Sequence, residues 1–130
     1  MNTKQLFVFG ASVLAATFGG GAVAQQANEQ YVQVAEIEID PVQLEAYRAA
    51  VQEQIEAAIR MEPGVLVLYA VSDKDNPARV KVFEIYRDVD AYRSHLASEH
   101  FRKYKATTEK MVTSLKLVQS APIMLGAKSK

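Results

Sequence analysis

The sequence predicts an α+β domain of the ferredoxin-like, split βαβ type, in which helices cover one face of an antiparallel sheet. Two observations predict this fold. Segments with strand patterns and segments with helical periodicity follow one another in the order β, α, β, β, α, β. The second and third strands are joined by a turn too short for a parallel crossover, so they must run antiparallel.

The first strand is predicted over residues 31–39, where an apolar face alternates with a face that ends in Glu36 and Glu38. Asp40 followed by Pro41 is typical of a helix start. The next segment is amphipathic over about five helical turns, and Pro63-Gly64 ends it. Its apolar stripe consists of Leu44, Tyr47, Val51, Ile55, Ala58 and Ile59.

The second strand, residues 65–71, is continuously apolar and is expected to be covered on both faces. Residues 72–77 read SDKDNP, a composition typical of turns, and the third strand follows over residues 78–87.

Two short helices are predicted next, because Asp88 can cap a helix through Leu96 and Ser98 can cap a second one. The last strand is predicted over residues 113–125. Pro122 marks its end as a sheet edge or as a crossing onto another surface.

The composition excludes several classes of protein. The chain has 130 residues, no cysteine, and 15 basic against 15 acidic residues. Without cysteine there is no disulfide scaffold, no cysteine-held zinc or iron–sulfur site and no cysteine nucleophile. Zero net charge without a long basic run argues against nucleic acid as a partner.

Residues 1–24 have the pattern of a secretory signal peptide. Lys4 precedes an apolar segment and a small-residue tail that ends in Ala22-Val23-Ala24. A retained anchor helix is the alternative, because residues 6–24 are uncharged, but three successive glycines weaken a helix there. We expect cleavage and a periplasmic or secreted protein without stable membrane insertion. Its parts are a flexible leader over residues 25–30, a domain over residues 31–125 and a tail over residues 126–130.

The predicted sheet has two apolar faces but helices for only one. Val80 and Val82 lie on one face of the third strand, and Phe83 and Ile85 lie on the other. The chain is too short to cover the second face itself, so we expect a homodimer that packs sheet against sheet.

Glu84 is the strongest candidate for a catalytic or ligand-binding residue because it lies among apolar side chains on one strand face. Burial penalises the charged form of a carboxyl group unless that group is paired. Glu84 could act as a base, anchor a polar ligand, or pair with a basic residue across the dimer, and the sequence leaves these alternatives open.

The chain has two histidines, His95 and His100, five residues apart across a helix break. This spacing fits no metal-binding motif, so no metal is expected. His95 lies at the edge of an apolar stripe, where it either faces a cavity as a base or packs as an aromatic residue. His100 is the weaker candidate because a helix N-terminus disfavours the charged imidazole.

Tyrosines supply most of the aromatic surface and could line a pocket for a planar ligand, although tyrosines at core spacing are more often core residues. The tyrosines are Tyr47, Tyr69, Tyr86, Tyr92 and Tyr104.

No nucleotide-binding or hydrolase motif is present, so no cofactor is expected.

Four segments occur in a characteristic order and spacing. They are Glu62-Pro-Gly-Val-Leu-Val-Leu-Tyr69, Phe83-Glu-Ile-Tyr86, Asp88-Val-Asp-Ala-Tyr92 and His95-Leu-Ala-Ser-Glu-His100-Phe101. Together they resemble the antibiotic biosynthesis monooxygenase domain, a family that includes small quinol monooxygenases. The resemblance runs from Val32 to Val112 and implies a dimeric α+β barrel.

The resemblance also implies oxidation of a quinol or polyphenolic aromatic substrate by molecular oxygen without a cofactor. In that chemistry the substrate's own carbanion reduces O2, which needs a base and a dry pocket. The resemblance implies His95 as the proton acceptor, with Glu84 as its orienting partner or as a substrate anchor. The implied substrate-binding residues are Tyr69, Tyr86, Tyr92 and His100.

Two departures from the family pattern bear on the reaction. Tyr86 stands where Trp is commoner, which alters the cavity wall. Lys105 stands where haem-degrading relatives have the haem ligand, and their first-strand Asn is absent, which argues against haem degradation. The family also includes isomerases of small signal molecules, and a non-catalytic ligand-binding or stress-response module of the same fold is a further alternative.

Overall fold

A computed structural model describes residues 29–129, which form one four-stranded sheet with helices on one face. The strands are β1 (Tyr31–Ile39), β2 (Val65–Ser72), β3 (Arg79–Tyr86) and β4 (Val112–Ser120). The helices are α1 (Leu44–Met61), α2 (Val89–Ala97) and α3 (Glu99–Thr108), and a 3-10 turn (Pro41–Gln43) precedes α1. The sheet order is β2-β3-β1-β4 and every neighbouring pair is antiparallel, which confirms the predicted ferredoxin-like α+β fold.

The break between α2 and α3 is made by a side-chain cap, as predicted. Ser98 Oγ accepts a hydrogen bond from the backbone N–H of Phe101 and starts α3 one residue after α2 ends. Asp88 caps α2 in the same way through the N–H of Ala91. The two helices therefore meet at Ser98, which brings the end of α2 and the beginning of α3 to one place.

The last strand ends at Ser120 rather than at residue 125. Its partner strand β1 sets this limit. Val32, near the start of β1, pairs with Ser120, and this is the last residue pair between the two strands. Beyond this point Pro122 cannot donate a ladder hydrogen bond. The segment that follows carries apolar side chains in solvent, and Ile123 is fully exposed.

The sheet face beneath the helices holds two separate apolar clusters. One is built around Tyr31, Leu68, Tyr86 and Tyr92, and the other around Ala35, Ile37, Tyr47, Val80 and Val82.

The opposite face of the sheet has no helix on it and is apolar at its centre. Val34 pairs with Phe83 on β3 and with Val118 on β4, and Phe83 pairs in turn with Tyr69 on β2. Tyr69 is 63% exposed and Phe83 is 47% exposed. This apolar row is the uncovered second face that the sequence predicts.

The predicted signal peptide, residues 1–24, and most of the predicted leader lie outside the described residues. Among the helices of residues 29–129, none is long and apolar enough to cross a membrane.

Candidate active site

A cavity of about 750 Å³ lies between the sheet and the helices. This volume is in the range of pockets that hold a drug-sized or cofactor-sized molecule. Its walls are mostly apolar and include Ala35, Ile37, Val51, Leu68, Val82 and Leu117. Polar groups reach the same space from β1, β3 and all three helices, and they include Gln33, Gln54, Glu84, Tyr92, His95 and Tyr104.

The end of α1 places a carboxylate against two imidazoles. Glu62 is the residue that caps the C-terminus of α1, and its backbone N–H bonds to the carbonyl of Ala58. Its Oε2 accepts a hydrogen bond from His95 Nδ1 at 2.8 Å and another from His100 Nε2 at 2.5 Å. One carboxylate oxygen therefore holds both histidines of the chain.

Gly64 allows this contact to form. A Cβ atom at Gly64 would lie 2.5 Å from Cβ of Ala91, closer than packed carbon atoms approach. Only glycine lets α2 come this near to the turn after α1. The Pro63-Gly64 turn thus ends α1 and also allows α2 to carry His95 to Glu62.

The carboxylate fixes the tautomer of His95. An ionised carboxylate only accepts hydrogen bonds, so Nδ1 of His95 carries the proton that is donated to Glu62. Nε2 is then unprotonated and free to accept a proton. Among residues 29–129, no group forms a hydrogen bond with this Nε2, and the ring lines the cavity.

Burial keeps the imidazole of His95 neutral. The side chain is 2% exposed, and loss of solvation lowers the pKa of His95 from its ordinary value of 6.5. The hydrogen bond and the negative charge of Glu62 act in the opposite direction but do not overcome the desolvation. His95 is therefore an unprotonated base at neutral pH, with an anion placed to stabilise the imidazolium that forms when it accepts a proton.

Glu84 forms a second polar centre on the cavity wall. Its Oε1 accepts a hydrogen bond from Tyr86 Oη at 2.7 Å and a longer one from Gln33 Nε2 at 3.4 Å. Desolvation raises the pKa of Glu84, and these two hydrogen bonds offset it only in part. A buried carboxyl group with a raised pKa can donate a hydrogen bond as well as accept one.

Tyrosine rings form the floor beneath Glu84. The rings of Tyr31 and Tyr92 are stacked with centroids 4.2 Å apart, and Tyr86 meets Tyr92 edge to face at 5.1 Å. Burial raises the pKa of each of these three phenols, so all remain protonated at neutral pH.

Of the predicted site residues, three line the cavity and two lie behind other side chains. His95, Glu84 and Tyr92 line the cavity. Tyr86 is fully buried behind Glu84, and His100 reaches the cavity region only through Glu62. Of the two roles predicted for Glu84, orienting partner of His95 or substrate anchor, the first is taken by Glu62, which bonds to His95 Nδ1.

Tyr69 does not form the cavity wall, contrary to the prediction. A bulge in β2 shifts the register between Val65 and Val67, so Val65 and Leu68 both face the helices. Without this bulge, strict alternation would place Tyr69 on the same side as Val65. The shift turns Tyr69 to the outer face, next to Phe83.

Sequence reasoning missed Glu62 as a functional residue. It lies 33 residues before His95, so their contact is a property of the fold. One signal was available, because a carboxylate at a helix C-terminus is disfavoured by the helix dipole. An acidic residue in that position indicates a role other than helix stability.

Glu62, His95 and His100 are also a possible set of metal ligands. One ligand atom from each lies within 4.8 Å of the other two, and two imidazoles with a carboxylate suit several transition metals. A cation could bind there only by replacing the hydrogen bonds that both histidines make to Glu62.

Comparisons with known proteins agree with the fold. The sequence matches the family model named Antibiotic biosynthesis monooxygenase over residues 30–107. A crystal structure from Bacteroides thetaiotaomicron, described as a candidate antibiotic biosynthesis monooxygenase, has 48% sequence identity and a TM-score of 0.75, over 80% of this chain and 99% of that chain. No protein of curated function matches the sequence.

More distant structures share the same fold. A protein from Nitrosomonas europaea, also described as a candidate antibiotic biosynthesis monooxygenase, has 22% identity and a TM-score of 0.69, over 74% of this chain and 92% of that one. A Mycobacterium tuberculosis protein has 23% identity and a TM-score of 0.68, over 76% of this chain and 100% of its own. At these identities the likeness shows the fold alone.

Proposed function

Because the chain belongs to the antibiotic biosynthesis monooxygenase family, we propose that it is a cofactor-independent monooxygenase acting on a quinol or polyphenolic aromatic substrate. The observation that carries the proposal is the neutral imidazole of His95. Its Nδ1 is held by Glu62, and the ring faces an apolar cavity large enough for an aromatic molecule.

In the proposed reaction His95 Nε2 removes the proton of a substrate hydroxyl. Glu62 stabilises the imidazolium through its charge, and the apolar walls keep the resulting phenolate free of water. Electron density on the ring carbon of that anion then reduces O2. One oxygen atom enters the ring, and the other leaves as water with two hydrogens from the substrate.

Glu84 is placed to anchor the substrate rather than to orient His95. Its Oε1 is occupied by Tyr86 and Gln33, while the carboxyl group as a whole faces the cavity. In its neutral form it donates a hydrogen bond to a substrate oxygen, and in its charged form it accepts one.

We also propose that the protein acts as an exported homodimer. The apolar row of Val34, Phe83 and Tyr69 supports the dimer, because two such faces packed together remove these side chains from water. The signal-peptide pattern of residues 1–24 supports export to the periplasm or beyond.

Oxygen consumption tests the proposed activity. Purified protein is incubated with a panel of hydroquinones in an oxygen electrode, beside the His95→Gln variant. We expect uptake with at least one hydroquinone and a loss of about 10²-fold or more in the variant, the usual contribution of a general base. Uptake that is equal in both proteins, or absent with every substrate, would contradict the proposal.

A non-catalytic ligand-binding module is the second candidate, favoured by the size and apolar lining of the cavity. It requires that hydroquinones raise the melting temperature of the protein without turnover, and that this stabilisation persists in His95→Ala and Glu84→Ala. Turnover that depends on His95 would exclude this candidate.

A further inference from the structure

The cavity wall contains an amide that the fold does not use. Gln54 lies on the inner face of α1, between Val51 and Ala58, and is 7% exposed. Within residues 29–129, its Oε1 is the one buried side-chain polar atom that has no hydrogen-bond partner. The side chain also lines the cavity.

Two polar groups of α3 that line the same cavity are engaged elsewhere. Tyr104 Oη is bonded to Tyr47 Oη at 2.8 Å, and Thr108 Oγ1 donates to the backbone carbonyl of Tyr104. The first of these bonds joins α1 to α3 and the second lies within α3, and neither includes Gln54. An unpaired buried amide destabilises a folded protein, and an apolar side chain of similar length would avoid that cost. Stability alone therefore does not explain a glutamine here.

We propose that Gln54 is a substrate-binding residue that hydrogen-bonds a second hydroxyl group of the aromatic substrate, away from the hydroxyl that His95 deprotonates. This inference deepens the proposed function and rests on it. The ligand class is narrowed to aromatic rings with hydroxyl groups on opposite sides, as in hydroquinones.

The position of Gln54 on α1 supports two separated contacts. Gln54 precedes Glu62 by eight residues, which corresponds to about 12 Å along the helix axis. Because Glu62 holds His95, the amide and the imidazole reach the cavity from different levels of its wall. The space between them is lined by apolar groups such as Leu68 and Val82, which suit the faces of an aromatic ring.

The amide of Gln54 can bind both the reduced quinol and the oxidised quinone. The oxygen of Gln54 accepts from the hydroxyl of a quinol, and its NH2 group donates to the carbonyl of a quinone. A rotation of the amide exchanges the two atoms. The same residue can therefore hold the ring before and after oxidation.

A ligand and variant cycle tests this inference without turnover. Hydroquinone and phenol differ by one hydroxyl group, and their dissociation constants are measured under anaerobic conditions by NMR titration of isotope-labelled protein. The variant is Gln54→Met, and Gln52→Met, at an exposed position on the same helix, is the matched control. The melting temperature of each ligand-free protein is measured as well.

We expect wild-type protein to bind hydroquinone about tenfold more tightly than phenol, the upper range for one neutral hydrogen bond. Gln54→Met should lose this preference, bind phenol as before, and melt at a higher temperature than wild type when ligand-free. Gln52→Met should keep the preference. If Gln54→Met keeps the preference for hydroquinone, or is destabilised when ligand-free, the inference is overturned.

This experiment separates the inference from the proposed function. If the preference for hydroquinone depends on Gln54 but no oxygen is consumed, the binding role stands and the monooxygenase activity fails. If oxygen is consumed and the preference does not depend on Gln54, the activity stands and the binding role fails.

Discussion

Two substitutions of Glu62 separate the negative charge of its carboxylate from its role as a hydrogen-bond acceptor. Glu62→Gln keeps an oxygen that can accept from His95 and His100 but removes the charge. Glu62→Leu removes the charge and the acceptor together. Both histidines bind the same oxygen, so a single amide oxygen can replace it in the first variant.

The two variants should differ in how much kcat and the free energy of unfolding fall. In Glu62→Gln the tautomer of His95 should be retained, its pKa should fall further, and kcat should fall by about fivefold, because a hydrogen bond to a charged group is worth about 1 kcal/mol more than a neutral one. In Glu62→Leu, His95 loses its orientation, and kcat should fall by about 10²- to 10⁴-fold. The buried N–H of His95 is then unpaired, at a cost of about 1–3 kcal/mol in the free energy of unfolding.

NMR of the imidazole nitrogens measures the tautomer directly and needs no substrate. Because the chain has two histidines, assignment requires one further variant, His100→Gln. We expect the Nδ1–H form of His95 in wild type and in Glu62→Gln, and a mixture of tautomers in Glu62→Leu. Glu56→Gln, at an exposed position on α1, is the control and should match wild type. An Nε2–H tautomer in wild type, or an unchanged tautomer in Glu62→Leu, would show that Glu62 does not fix the tautomer of His95.

Three further predictions concern pH and assembly. Burial lowers the pKa of His95, and the neutral ring is the proposed base. We therefore expect kcat/KM to fall on the acid side with a midpoint below pH 6.5, and a midpoint above that value would contradict this role. Because burial raises the pKa of Glu84 above its unfolded value of 4.5, its charge destabilises the folded protein at high pH and this penalty disappears as pH falls. Glu84→Gln should therefore raise the stability to urea at about pH 8 and lose this advantage towards about pH 4.5, and an advantage independent of pH would argue against a buried charge. If the proposed dimer forms through the apolar outer face, Phe83→Glu places a charge in it and should give a monomer in light scattering. Glu36→Gln, at the charged end of that face, should give a dimer, as should the wild type.

The order of the elements could be predicted because it depends on local patterns. The stripe of α1 and the caps at Asp88 and Ser98 are encoded within a few residues. The structure reproduces both caps and buries Tyr47 and Ala58 of the stripe, whereas Ile59 is half-exposed. The orientation of β2 could not be read in the same way. A strand that is apolar on both sides shows no alternation, so the bulge that turns Tyr69 outwards leaves no trace in the pattern.

The candidate site can be predicted only in part, because some of its residues stand out in local patterns and others are joined only by the fold. Glu84 stands out because it interrupts an apolar strand face, and His95 because it borders an apolar helix stripe. The contact of Glu62 with both histidines joins three elements and depends on how closely α2 approaches Gly64. The missing hydrogen bond of Gln54 Oε1 depends on which groups pack around it in the fold, and no local pattern encodes this.

The proposed function requires the chain to insert oxygen into an aromatic substrate by means of its own side chains. Protein treated with a chelator, and shown by elemental analysis to be free of metal, is incubated with a hydroquinone under isotopically labelled molecular oxygen. Mass spectrometry of the product should show one labelled oxygen atom per ring, with a yield that the chelator does not change and that falls in His95→Gln. A product without labelled oxygen, or labelling that requires an added metal at Glu62, His95 and His100, would contradict the claim.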